Sequence, residues 1–193
     1  MRKVAAWELV SLDGVIESPE GWAFAYSSEE MEEVNASGMA ASDALLLGRL
    51  TYEHLAAYWP NQPGGEPMVD YINSVPKFVV STTLEAAGWN NSTVIRENVS
   101  EKIAELKRRP GKDITILGSG ALVRSLMREG LLDEIRLMVH PVILGGGKRL
   151  FEDGDDRKSL ELATSRTFGT GVVYLTYQLT DEGHKSSLTK LGS

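Results

Sequence analysis

The strongest chemical signal in the sequence is a glycine-rich turn between an apolar run and an amphipathic run. Residues 113–126 read DITILGSGALVRSL, with Gly118, Ser119 and Gly120 between a predicted strand and a predicted helix that Ala121 enters. The first turn of a helix carries backbone N–H groups without partners, which attract anions, and glycine lets a ligand approach closely. The third glycine of the Rossmann fingerprint is missing. The pattern therefore fits either a structural turn or a nucleotide-binding turn of another kind.

Two other predicted strands end in residues that suit an anion. One ends in a turn that offers a guanidinium and a hydroxyl at a helix N-terminus, and the other ends in three hydroxyls. The residues concerned are Gly48, Arg49 and Thr51 in the first turn and Ser81, Thr82 and Thr83 in the second. Each turn also has an ordinary explanation, a solvated arginine with a capping threonine in one and a hydroxyl-rich turn in the other.

The elements that must position these turns alternate between strands and helices. The sequence predicts strands over 3–10, 43–47, 77–81, 92–95, 113–117 and 134–139. It predicts helices over 29–41 with Ser28 as the cap, 50–58, 68–74, 100–109 with Ser100 as the cap, and 120–129. Residues 160–168 and 172–179 predict an antiparallel hairpin. This order favours an α/β fold with a mainly parallel sheet, whose strand ends meet at one edge where ligands bind. Three anion-compatible turns at that edge would converge on a dinucleotide.

Composition and charge exclude several classes of protein. The 193 residues carry a formal net charge of −7, and the basic cluster at 107–109 is too small for a nucleic-acid-binding face. No cysteine is present and the three histidines lack ligand-like spacing, so we expect no metal site. No run of about 18 apolar residues predicts a membrane span. We expect one domain over 1–180, a polar tail over 181–193, and a cytoplasmic protein without a signal peptide.

Six motifs, taken in order, resemble the dihydrofolate-reductase-like superfamily. They are SLDG (11–14), GRLTYE (48–53), KFVVSTTL (77–84), ILGSGALVRSL (116–126), GLLDEIRL (130–137) and HPVILGGGKRLF (140–151). The set is more specifically similar to stand-alone relatives of the reductase domain of the riboflavin-biosynthesis deaminase-reductase. The resemblance implies a three-layer α/β/α fold with a central mixed sheet of about eight strands. It also implies NADPH as the hydride donor, a small-molecule substrate, and a homodimer.

The resemblance also assigns roles to residues of this sequence. Gly48, Arg49 and Thr51 would meet the cofactor phosphates, and Ser81, Thr82 and Thr83 would lie at the adenosine end. Gly118, Ser119, Gly120 and Ala121 would hold the pyrophosphate. Asp13, with Ser11 and Gly14, would lie near the nicotinamide and the substrate. Asp13 is the candidate catalytic residue for proton delivery, although a carboxylate there can also cap the turn.

Together these features predict an NADPH-dependent reductase acting on a small heterocyclic, imine or carbonyl compound. The alternative is a non-catalytic NADP(H)-binding or dimeric sensor domain. Two departures from the family pattern keep that alternative open. Trp7 stands where the riboflavin reductase domain has a lysine, and no substrate-binding acid stands out among the four glutamates of residues 29–33. The sequence also lacks the deaminase domain and its zinc ligands.

Three further features have both functional and structural explanations. Trp22, Phe24 and Tyr26 alternate in a loop that could be a lid, an edge strand or an interface patch. The glycine run 145–147 before Lys148 lacks Walker spacing and is interpreted as a structural turn. His140 before a proline is interpreted as a residue at a strand end rather than a catalyst.

Overall fold

An eight-stranded sheet organises the protein in a computed structural model that describes residues 1–180. The strands are β1 (Val4–Ser11), β2 (Ser42–Gly48), β3 (Lys77–Val80), β4 (Ser92–Ile95), β5 (Asp113–Leu117), β6 (Glu134–His140), β7 (Leu160–Thr167) and β8 (Val173–Leu179). Their order is β4-β3-β2-β5-β1-β6-β8-β7. The first six run parallel, whereas β8 pairs antiparallel with β6 and with β7. The predicted mixed sheet with a C-terminal hairpin is confirmed, and the predicted tail 181–193 lies outside the described residues.

Helices cover both faces of the sheet. They are α1 (Glu29–Ala41), α2 (Arg49–Tyr58), α3 (Pro67–Ser74), α4 (Val99–Arg108) and α5 (Gly120–Arg128). Because side chains alternate along a strand, Leu46 packs with α4 and α5, whereas Leu45 and Leu47 pack with α2 and α3. Met31 of α1 packs against Met138 on the same side as α2 and α3. The predicted three-layer α/β/α arrangement is confirmed.

Of the two predicted helix caps, one is confirmed and one is wrong. The Ser28 hydroxyl accepts a hydrogen bond from the Met31 backbone N–H at 3.3 Å, as an N-cap residue does. Ser100 does not cap α4, because Asn98 takes a left-handed conformation (φ 53°) and the helix begins at Val99. Ser100 then lies in the first turn, where its hydroxyl donates to the Glu129 carboxylate.

No helix within residues 1–180 combines the length and the apolar character that crossing a membrane requires.

Candidate functional site

Four neighbouring strands end in the turns that the sequence singles out. At the carboxyl edge of the sheet the turns follow β3, β2, β5 and β1, in that spatial order. Neighbouring strands lie about 4.8 Å apart, so the row extends over about 14 Å. A row of that length suits an extended ligand of dinucleotide size. The parallel topology thus brings the predicted residues to one edge of the sheet.

Hydrogen bonds join the turn after β2 to the turn after β5. The Gly48 backbone N–H donates to the Ser119 hydroxyl at 2.8 Å, and that hydroxyl donates to the Thr51 hydroxyl at 2.9 Å. The Thr51 hydroxyl donates in turn to the Gly118 carbonyl at 3.0 Å. The two hydroxyls therefore hold the turns together. What the joined turns present to a ligand are the first-turn amides of α2 and α5, which have no partners within their own helices.

Glycine is required in the turn that opens α5. Gly118 has φ +56°, a conformation that residues with a side chain rarely adopt. A Cβ added to Gly120 would lie 2.8 Å from the Ile16 side chain. Ala121, the next residue, is exposed at the helix start. The missing side chains of the two glycines therefore let the turn form and let Ile16 pack against the start of α5, while the amides of the first helical turn fit a pyrophosphate group.

Arg49 lies at the start of α2 and pairs with Glu53. Its guanidinium donates to both carboxylate oxygens at 3.1 Å, and its side chain is 41% exposed. An exposed pair at this spacing on a helix contributes only about 0.3–0.5 kcal/mol. A phosphate at the neighbouring amides could therefore draw Arg49 away from Glu53 at little cost.

The three hydroxyl residues after β3, Ser81, Thr82 and Thr83, have different surroundings. The buried Ser81 hydroxyl accepts hydrogen bonds from the Thr83 and Leu84 backbone N–H groups at 3.2 and 2.9 Å. Ser81 therefore shapes the turn. Thr82 and Thr83 are exposed at the sheet edge, where they can meet a ligand.

Asp13 joins the turn after β1 to the glycine-rich loop that follows β6. The Ser11 hydroxyl donates to its carboxylate at 2.7 Å, and the Leu144 and Gly145 backbone N–H groups donate at 3.1 and 2.9 Å. These hydrogen bonds, that from Ser11 first, lower the pKa of Asp13 to about 2. The carboxylate is therefore ionised at neutral pH and acts as a hydrogen-bond acceptor, which fits the turn-capping explanation better than proton donation.

Glu8 was not predicted as a site residue from the sequence. It lies in β1, and its side chain is buried between the sheet and the start of α5. Its side chain is 1% exposed, and burial raises its pKa to about 8 against a lowering by the Ser119 backbone amide. In the sequence Glu8 is one charged residue within an apolar strand. One feature of the sequence could have identified it. Glu8 lies two and four residues after Ala6 and Val4 in the same strand, so its side chain has the strand parity of these buried residues and points to the same face.

A groove of about 370 Å³ lies on the opposite face of the sheet, between α1 and the strands β6 and β8. Trp7 lines it, with the Tyr174 ring centroid 6.0 Å away and the Arg136 guanidinium 5.9 Å from the Trp7 ring. The indole packs so closely on Gly38 of α1 that a Cβ at that position would overlap it. Trp7 pairs with Leu117, the last residue of β5, so the groove begins level with the turn that opens α5. It extends from there past Arg136 and Glu134 toward the start of β6.

The loop with alternating aromatic residues packs on His140. It forms two short 3₁₀ helices, Pro19–Gly21 and Phe24–Tyr26, and not an edge strand. The Trp22 and Tyr26 rings meet the imidazole edge-on, at centroid distances of 5.2 and 5.7 Å. Residue 140 ends β6, in agreement with its interpretation as a strand-end residue. The lid and the interface patch stay open as hypotheses for this loop.

Among the described residues 1–180, no three His, Cys, Asp or Glu side chains come together as a metal site would require.

Comparisons with known proteins agree with the fold. A model of the RibD C-terminal domain family matches residues 2–174. The uncharacterized protein YyaP of Bacillus subtilis is 33% identical over 174 residues, covering 87% of this chain and 90% of its own length.

Solved structures share the fold at lower sequence identity. A Shewanella sp. PV-4 protein, whose description assigns it provisionally to riboflavin biosynthesis, superposes with a TM-score of 0.73 at 22% identity, covering 93% of this chain and 99% of its own. A Thermotoga maritima diaminohydroxyphosphoribosylaminopyrimidine deaminase/5-amino-6-(5-phosphoribosylamino)uracil reductase gives a TM-score of 0.64 at 13% identity. That match covers 93% of this chain and 57% of the Thermotoga chain.

Proposed function

Because this chain belongs to the RibD C-terminal domain family, we propose that it is an oxidoreductase that uses NADPH to reduce a small heterocyclic, imine or carbonyl compound. The observation that carries the proposal is the row of four neighbouring strand ends, two of which are joined through the Ser119 and Thr51 hydroxyls. A row of amide-rich turns is the environment that a dinucleotide needs. The description of the Thermotoga neighbour includes a reductase of a heterocyclic compound, a substituted uracil.

The cofactor assignment follows the order of the strands. The pyrophosphate is proposed to lie on the Gly118–Ala121 turn, held by the Gly120 and Ala121 backbone amides because the Ser119 amide faces Glu8, with Arg49 beside it at the start of α2. The adenosine end is proposed to reach the exposed hydroxyls of Thr82 and Thr83. When bound, NADPH would supply the hydride. The protein's own part is to fix the dinucleotide through these contacts.

On the substrate side, we place the substrate at the groove that Trp7 lines. An aromatic floor beside the Arg136 guanidinium suits a planar, electron-rich ring. Since Trp7 replaces the lysine of the riboflavin reductase domain, we propose that the substrate differs from that enzyme's substrate while staying heterocyclic. Asp13, as an ionised carboxylate, is proposed to orient the turn at the reacting end of the cofactor, and the proton is proposed to come from water.

An absorbance assay tests the activity. Decay of NADPH absorbance is to be followed with a panel of pterins, pyrimidine riboside phosphates and small carbonyl compounds. We expect NADPH to bind and at least one member of the panel to be reduced. Binding without decay for any compound would favour the alternative, a non-catalytic NADP(H)-binding or sensor domain. Absence of NADPH binding would contradict both.

Replacement of Arg49 tests the phosphate assignment. We expect Arg49→Ala to raise the NADPH dissociation constant at least about tenfold, equivalent to about 1.4 kcal/mol, because a charge-assisted contact to phosphate is lost. The measurement is a fluorescence titration of the folded variant. Arg109→Ala is the matched control, since Arg109 also forms an exposed pair with a glutamate four residues away and lies between α4 and the start of β5, at the end of that strand opposite the turn. Equal affinity of Arg49→Ala and wild type would refute the role of Arg49.

We also propose that the protein is a homodimer and that it is cytoplasmic, as the sequence predicts.

A further inference from the structure

Glu8 occupies a position between the sheet and the start of α5. Its neighbour Trp7 pairs with Leu117 at the end of β5, so Glu8 is level with Gly118, where the phosphate turn begins. Its strand parity places it on the face that α4 and α5 cover, and its side chain is 1% exposed. A carboxyl group is thus enclosed on the inner side of the turn assigned to the cofactor.

One oxygen of this carboxyl group lacks a partner. Within residues 1–180, Oε1 of Glu8 is buried and accepts or donates no hydrogen bond. The Ser119 backbone amide is the one group whose hydrogen bonding favours the charged form, and burial outweighs it, raising the pKa of Glu8 to about 8. At neutral pH the group therefore carries its proton. An uncharged acid is what a buried site without a cation can accommodate.

The charged groups on the surrounding elements do not neutralise Glu8. Arg124 of α5 contacts the Leu150 carbonyl and Glu152. Arg136 of β6 pairs with Glu134 and Asp113 on the opposite face of the sheet. Asp13 accepts hydrogen bonds from the Leu144 and Gly145 backbone amides. The Arg149 side chain passes Gly14 at the surface and is exposed. None of these charges contributes to the pKa of Glu8. Loss of its proton would therefore leave an uncompensated negative charge under the turn.

We propose that Glu8 is a positioning residue of the cofactor site, and that the Gly118–Ala121 turn accepts the phosphates of NADPH only while the Glu8 carboxyl group is protonated. This inference rests on the proposed function, since it concerns the same phosphates. The negative charge of an ionised Glu8 would offset the positive potential of the backbone amides at the start of α5, and it would repel a phosphate bound on the outer side of the turn. A neutral Glu8 leaves that potential free for the ligand.

Thermodynamic linkage gives the size of the effect. We assume that Glu8 keeps its proton while NADPH is bound. Above the pKa of Glu8 in the NADPH-free protein, each pH unit then raises the dissociation constant for NADPH about tenfold. The wild-type dissociation constant for NADPH should then be nearly constant from about pH 6 to about pH 7 and rise about tenfold by about pH 9. Glu8→Gln has no titrating group, so its dissociation constant should change less than about twofold over the same interval.

The test combines NADPH titrations with a direct measurement on the free protein. Wild type, Glu8→Gln and the control Glu20→Gln, which removes an exposed glutamate, are titrated across this pH range. Because NADPH itself titrates identically in all three proteins, only a difference between them reports on Glu8. Carbon-13 NMR of the glutamate side chains follows the Glu8 carboxyl group without ligand. If Glu8→Gln does not fold, Glu8→Leu takes its place.

We expect the dissociation constant for NADPH to rise about tenfold in wild type and in Glu20→Gln but not in Glu8→Gln. The carbon-13 signal of Glu8 should titrate at a much higher pH than the signals of the other glutamates. The same pH dependence in Glu8→Gln as in wild type would overturn the inference alone, and so would a Glu8 signal titrating with the surface glutamates. No NADPH binding to wild type at about pH 6 would overturn the proposed function and this inference with it.

Discussion

Glu8→Gln is expected to gain stability relative to wild type as the pH rises from about 4.5 to about 8. The folded pKa of Glu8 is raised from 4.5 to about 8 by burial, so over this interval the folded protein binds a proton that the unfolded chain has lost. Stability therefore falls with pH in wild type, by a little over 1 kcal/mol per pH unit, and the total is on the order of several kcal/mol. Glutamine has nearly the same shape and no proton to lose.

Denaturant unfolding at a series of pH values measures this difference. The free energy of unfolding of Glu8→Gln minus that of wild type should grow steadily from about pH 5 to about pH 8 and then level off. Glu20→Gln controls for the removal of a carboxylate at the surface and should give a nearly flat difference. Parallel pH profiles for Glu8→Gln and wild type would show that Glu8 ionises normally in the folded protein.

Lys77→Met is expected to destabilise the protein by about 3 kcal/mol, because it strips a buried cation from the carbonyls that surround it. Lys77 is completely buried at the start of β3. Its ammonium donates to the Val75, Asn90 and Asn73 carbonyls at 2.9, 3.1 and 3.4 Å and lies 4.3 Å from the centre of the Trp89 ring. Methionine fills a similar volume but leaves those acceptors without a donor.

The pH dependence gives a second readout for Lys77. Burial lowers its pKa from 10.5 to about 8, so between these values the unfolded chain holds a proton that the folded protein has released. Wild-type stability should therefore receive a rising contribution from about pH 8 to about pH 10.5, which Lys77→Met lacks. Lys102→Met, at an exposed position on α4, is the control. If Lys77→Met lowers the free energy of unfolding no more than Lys102→Met does, the stabilising role of Lys77 is contradicted.

The strand ends could be predicted from the sequence because their signals are local. An apolar run followed by Gly-Ser-Gly or Gly-Arg is visible within a dozen residues, and parallel topology then places such turns at one edge. The pairing of Arg49 with Glu53 was also within reach, since a spacing of four residues on a helix brings side chains together.

The partners of Asp13 could not be predicted in this way. The Leu144 and Gly145 amides that bind its carboxylate lie 131 and 132 residues further along the chain. Only the finished sheet, with β6 beside β1, brings them together. The resemblance placed Asp13 near the reacting centre, but the hydrogen bonds that keep it ionised depend on that tertiary contact.

Glu8 and Ser100 show two other limits. Glu8 follows an ordinary strand pattern, and its unusual pKa arises from complete burial beneath a helix that begins more than a hundred residues later. The prediction that Ser100 caps α4 is wrong because Asn98 adopts a left-handed conformation two residues before Ser100. Asparagine tolerates that conformation better than most residues, so it could have been weighed as a start signal.

The central claim is that NADPH binds across the row of strand ends, and backbone amide NMR tests it most directly. Adding NADPH to the nitrogen-15-labelled protein should shift the amide signals of Gly48–Thr51, Thr82–Thr83 and Gly118–Ala121 together, with one dissociation constant for all three groups. Shifts confined to other parts of the protein, or none at saturating NADPH, would contradict the account.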